Sequence, residues 1–167
     1  MIYKHIPDVL VKAKFSDCKK FRYQLTIENT SKTSGNTLCV IMQNPSVANV
    51  KFADKSVQFL EKLIFEKEVE PFRNIKTIMV VNLFACIQTN SFLGSADKIG
   101  KENDSIVRHA IEVSDMVLIA WGKTNSYSER RNVIHAILKD YPKKRLLITR
   151  VHPSRGTYKD FIEPYSF

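Results

Sequence analysis

A chain of 167 residues has room for one compact domain, spanning 1–167, and little for a second. A composition that is 44% hydrophobic and 26% charged, with few glycines and prolines, excludes global disorder, and no apolar run is long enough to cross a bilayer. The net charge of +9 and pI near 9.5 favour nucleic acid, an acidic protein or an anionic surface as partner, although a merely solvated basic surface accounts for the charge equally well.

The first eight residues lack the charged start and apolar block of a signal peptide, so a cytoplasmic protein is expected, with no membrane partner. Lys20 to Ile27 reads as an extra edge strand or hairpin arm. Four β-rich runs follow: Thr37 to Met42, Thr77 to Val81, Met116 to Ala120 and Arg145 to Arg150. They are continuous apolar runs rather than alternating ones, which suits strands covered on both faces. Between them apolar residues recur at helical spacing: Val57, Leu60, Leu63 and Ile64, then Ile106, Val107, Ala110 and Ile111, then Val133, Ile134, Ile137 and Leu138. Ser126 and Glu129 have the spacing of a capping box at the start of the last helix.

Strand and helix alternate, which predicts an α/β three-layer sandwich around a short, mostly parallel central sheet. In such sheets ligands bind beyond the carboxyl ends of the strands, so chemistry is expected just after each run. Gln43-Asn44-Pro45-Ser46 follows the first, Asn82 ends the second, Trp121-Gly122 ends the third and His152-Pro153-Ser154 ends the fourth. Cys18, Cys39 and Cys86 have neither zinc-like spacing nor the number for an iron–sulfur cluster, so no metal or other cofactor is expected. Cys39 and Cys86 read as small core residues.

The ordered set of Gln43-Asn44-Pro45-Ser46, Val80-Val81-Asn82, Ala120-Trp121-Gly122 and His152-Pro153-Ser154 resembles the uracil-DNA glycosylase superfamily from residue 37 onward. It is similar, too, to an uncharacterised bacterial branch with Asn-Pro-Ser, Val-Asn-Leu-Phe-Ala, Trp-Gly and His-Pro motifs. The resemblance implies a uracil-DNA-glycosylase-like fold and a base-excision activity in DNA repair. In that activity Asn44 would hold the attacking water and His152 would donate to the leaving base. Asn82, Gln43, Ser46 and an aromatic platform, Phe52 or Phe84, would bind the base, while Ser154, Arg150 and Arg155 would grip the DNA backbone.

This sequence departs from the family in three places. Asn44 stands where the strongest members carry Asp, and an amide is no base at neutral pH. Ser46 replaces a bulky Tyr, which widens the pocket toward 5-modified pyrimidines. Ser154-Arg155-Gly156-Thr157 replaces an apolar wedge, which favours single-stranded or mismatched DNA. Three functions stay open: a hydrolytic glycosylase for uracil or a related pyrimidine, with weak or non-standard activity; an inactive pseudo-enzyme that binds DNA or acts as decoy for an acidic, DNA-mimicking inhibitor protein; and an enzyme on free nucleotides. Asp54 is a further carboxylate whose distance from the site the sequence leaves undetermined.

Overall fold

The β-branched and aliphatic runs form seven strands of one sheet: β1 (Val9–Phe15), β2 (Arg22–Asn29), β3 (Asn36–Met42), β4 (Ile75–Asn82), β5 (Met116–Ile119), β6 (Arg145–Thr149) and β7 (Ile162–Pro164). The computed structural model describes residues 2–67, 69–122 and 126–167. Strand order is β1-β2-β4-β3-β5-β6-β7. The four central strands are parallel, with Met42 opposite Asn82, Ile41 opposite Ile119, and Ile119 opposite Ile148. β1, β2 and β7 pair antiparallel.

The sheet is therefore longer than the short one expected and mixed rather than mostly parallel, because a hairpin extends one side and a returning tail the other. The segment read as an edge strand or hairpin arm is the second arm of the β1–β2 hairpin and lies second in the sheet, since β1 covers its outer side. β1 escapes pattern reading because Val11 is its one buried residue and Leu10 is exposed, as an edge strand allows.

Alternation along β3 divides the core. Leu38, Val40 and Met42 face a cluster with Val57, Leu60, Leu63 and Ile64 of α1 (Lys55–Glu61) and its π-helical continuation (Lys62–Glu66). Cys39 and Ile41 face the opposite cluster, with Ile106, Val107, Ala110 and Ile111 of α2 (Asn103–Val113) and Ile134, Ile137 and Leu138 of α3 (Ser128–Lys139). Helices thus cover both faces, and each large aliphatic side chain so buried contributes about 1.5–3 kcal/mol. Of the two cysteines read as core, Cys39 is fully buried and Cys86 only half-buried. The expected capping box does not form: α3 is capped by Tyr127 in the left-handed region, φ 63°, with no side-chain cap bond. No helix among the described residues is long and apolar enough to cross a membrane.

The amino-terminal segment is clamped to α1 by buried polar groups. Glu61, wholly buried, meets His5 Nδ1 at 2.5 Å and accepts the Ile6 N–H at 3.1 Å, while His5 Nε2 donates to the Asn49 carbonyl at 2.8 Å. With acceptors at both ring nitrogens, the imidazole satisfies both only as a cation. Burial works to lower the His5 pKa, but Glu61 and the Asn49 carbonyl together raise it above 6.5. The stability it contributes is thus complete below pH 6.5 and is lost as pH rises through the higher folded value. Denaturant unfolding of the wild type and His5→Gln should therefore differ most below pH 6.5 and converge as pH rises through the higher folded value; a gap that is constant with pH would contradict the clamp. His5→Ala, which strands a buried carboxylate, is expected to cost about 3–5 kcal/mol at acidic pH.

Candidate functional site

The parallel strands end level, and β3 and β5 send their chains to opposite faces, so a crevice opens between them. A cavity of about 600 Å³ occupies it, lined from β3 by Met42, Gln43, Asn44 and Ser46, from β5 by Trp121 and Gly122, and from the β6 end by His152, Ser154 and Arg155. Asp54, Lys55 and Ser56 at the start of α1, Gln88, Thr89 and Phe92 beyond β4, and Tyr3 complete the wall. The size falls within the range of small-molecule sites, roughly 300–1,000 Å³.

The Asn44 segment is laced to the chain after β4. Leu83 N–H donates to Met42 O at 2.9 Å, Phe84 N–H to Gln43 O at 3.0 Å and Gln88 N–H to Pro45 O at 3.0 Å. Asn44 Nδ2 donates to Gln88 O at 2.7 Å, and the Ser46 and Thr89 hydroxyls meet at 2.9 Å. Asn44 is thereby held as a donor, with its Oδ1 left as the acceptor. An Asp at this position would set a carboxylate against the Gln88 carbonyl, so this backbone suits the amide.

His152 is held in one tautomer. Its Nδ1 accepts the Ser154 N–H at 3.2 Å and lies 2.9 Å from the Ser154 hydroxyl, which leaves the proton of the neutral ring on Nε2. Burial, with the Arg155 charge, holds its pKa below the ordinary 6.5, and the Asp54 carboxylate acts weakly the other way. At neutral pH His152 is a neutral N–H donor. Gly122, at φ +84°, lets the β5 loop pass close by: a Cβ there would lie 3.3 Å from His152 Cβ.

Asp54 Oδ1 caps α1 by accepting the Val57 N–H at 2.9 Å. Asp54 lines the same cavity as Asn44 and His152. Arg22 is almost wholly buried, and one of its Nη groups donates to the Ala48 carbonyl; burial draws its pKa down to about 10, with the Asp54 carboxylate acting the other way.

Four residues that the sequence singled out lie elsewhere. Asn82 is 1% exposed and outside the cavity lining; alternation turns its side chain, with Val80 and Met42, to the α1 face, where Nδ2 and Oδ1 make no hydrogen bond among the described residues. Phe52 is exposed on the loop outside the cavity, Phe84 is buried in the opposite core, and Phe92 is the phenylalanine in the wall. Arg150 pairs with Glu163 of β7 at 3.4 Å instead of facing the cavity. Lys143, Lys144 and Arg145 lie at the amino end of β6, opposite Met116 and away from the cavity, so the basic run near the carboxyl terminus is split between two ends of the sheet. Gln88, Thr89, Phe92 and Tyr3 were not legible as site residues. Among the described residues no group of three or more His, Cys, Asp or Glu is placed to hold a metal.

A family model described as Protein of unknown function (DUF1643) matches residues 22–156, which includes every cavity residue except Tyr3. Comparison with curated proteins and with solved structures found no match.

Long-range ¹⁵N–¹H spectra of His152 should show the Nε2–H tautomer at pH 7 and a titration midpoint below 6.5; the Nδ1–H tautomer would overturn the assignment. Two unpartnered amide atoms are a stability cost of about 1–3 kcal/mol each. Asn82→Leu is accordingly expected to raise the melting temperature, and a lower one would mean that the amide is satisfied.

Proposed function

The chain belongs to the DUF1643 family, whose function is unknown, and we propose that it is a uracil-DNA-glycosylase-like enzyme that hydrolyses the N-glycosidic bond of uracil or a related pyrimidine in DNA. The observation that carries this reading is the convergence of Asn44, Asp54 and His152 on one cavity at the carboxyl ends of parallel strands. The motif resemblance and the +9 charge support it.

The reaction breaks the bond between the sugar anomeric carbon and the base nitrogen. The bonding pair leaves with the base, and positive charge develops on the sugar. His152 Nε2–H then donates to the base carbonyl that gains charge, a role that a neutral ring performs without first losing a proton. Such a donor is worth roughly 10²–10³ in rate. Water adds to the anomeric carbon and passes its proton to the Asp54 carboxylate, while Asn44 Oδ1 accepts a hydrogen bond from the same water. Asp54 supplies the negative charge that an amide at position 44 lacks. Ser46, small and bonded to Thr89, leaves room for a 5-substituent. Reading of the base edge by Asn82 needs its register partner Met42, part of the cavity wall, to move aside, and a flexible thioether side chain suits that motion.

The burial of Asn82 favours a second reading, a pseudo-enzyme that binds DNA or an acidic DNA-mimicking protein without turnover. One experiment separates them: oligonucleotides carrying uracil or 5-modified pyrimidines, single-stranded and mismatched, are incubated with protein and cleaved with alkali. The enzyme reading expects strand scission. It also expects a loss of about 10²–10⁴ in rate for Asp54→Asn, a variant that keeps the helix cap because Asn caps a helix as well as Asp does. Binding without scission across the panel would leave the pseudo-enzyme.

A further inference from the structure

The loop from Ser46 to Asp54 begins and ends on the cavity wall, and between those ends it carries three exposed apolar side chains: Val47 (37%), Val50 (52%) and Phe52 (42%). Isolated exposed hydrophobics are ordinary, but three within six residues, on a loop this firmly tied, are not explained by scatter. Asn49 Oδ1 accepts the Lys51 and Phe52 N–H groups at 2.8 and 3.1 Å, and Asn49 N–H donates to Phe52 O at 2.8 Å. The Asn49 carbonyl takes His5 and the Ala48 carbonyl takes buried Arg22, while Ala53 pairs with Tyr3 through two backbone bonds of 2.9 and 3.0 Å. The tip is thus fixed by groups whose other ends are in the core, so contacts by Phe52 lose little chain entropy.

Charge identifies what the tip meets. Lys51 and Lys55 are exposed on the same segment and Arg155 is exposed on the cavity wall, and none of the three forms an ion pair among the described residues. An aromatic ring between two unpaired lysines, on a loop anchored at both ends to a cavity with room for a base, matches a single nucleic-acid strand, whose bases stack on the ring while its phosphates meet the lysines.

We propose that the Val50–Phe52 tip is a stacking platform for the base adjacent to the nucleotide in the cavity, with Lys51, Lys55 and Arg155 on the flanking phosphates. The proposal rests on the nucleic-acid reading above and assigns Phe52 a place outside the cavity, on a neighbouring base.

The test is fluorescence anisotropy with a labelled single-stranded oligonucleotide, titrated at several salt concentrations. Phe52→Ala is expected to weaken binding about tenfold without changing the salt slope, because stacking releases no counterions, and Phe52→Tyr to restore it. Lys51→Ala is expected to lower the slope by about 0.7 instead. Because Phe52 is exposed, unaltered melting of the variants verifies that they fold. Wild-type binding with no loss in Phe52→Ala would overturn the platform and leave the nucleic-acid reading standing. Failure of the wild type to bind at low salt would overturn both.

Discussion

Parallel pairing in unbroken register from Thr37 to the strand ends is the constraint from which the site follows. β3 bonds to β4 on one side and β5 on the other, and β5 to β6, with Met42, Asn82, Ile119 and Ile148 at nearly one level. One residue of slip would displace a strand end by about 3.3 Å and turn its side chains to the wrong face. Held level, the four strands release their chains along a single rim, and Asn44, Trp121 and His152 meet there although more than a hundred residues separate the first from the last.

Buried polar groups then keep the released chains close to the rim. Asn103 of α2 donates to the carbonyls of Asn82 and Leu83, and Arg130 of α3 donates through Nε to Leu83 and pairs with Asp104. On the other face Arg22 and His5 hold Ala48 and Asn49. In each case a side chain from the core satisfies a loop carbonyl that would otherwise need water. The loops are thereby fixed at their backbones, and their side chains remain available to the cavity.

The alternation of apolar runs with helical spacing made the four central strands and three helices legible, and with them the rim. The edges were not. β1 shows one buried residue and β7 has three residues in all, so neither carries a periodic signal. Missing β7 also hid Glu163, and with it the partner that takes Arg150 out of the proposed backbone contacts. Motif order brought Gln43, Asn44, Ser46, His152, Ser154 and Arg155 to one wall, but a motif does not say which way a side chain at a strand end turns. That depended on alternation within the sheet, which sends Asn82 into the α1 face. Asp54 was beyond reach for a different reason: its return to the cavity depends on the Tyr3–Ala53 bridge and the His5 clamp, contacts with the start of the chain that no local pattern records.

The helix cap formed by Asp54 has an evolutionary consequence. The helix cap asks only that position 54 offer an oxygen to the Val57 amide, whereas the proposed hydrolysis asks for a full negative charge there. Asparagine meets the first demand and fails the second, and a single nucleotide change in the codon interconverts the two residues. On the proposed mechanism a lineage can pass between a cutting and a merely binding form, in either direction, with the helix cap kept throughout.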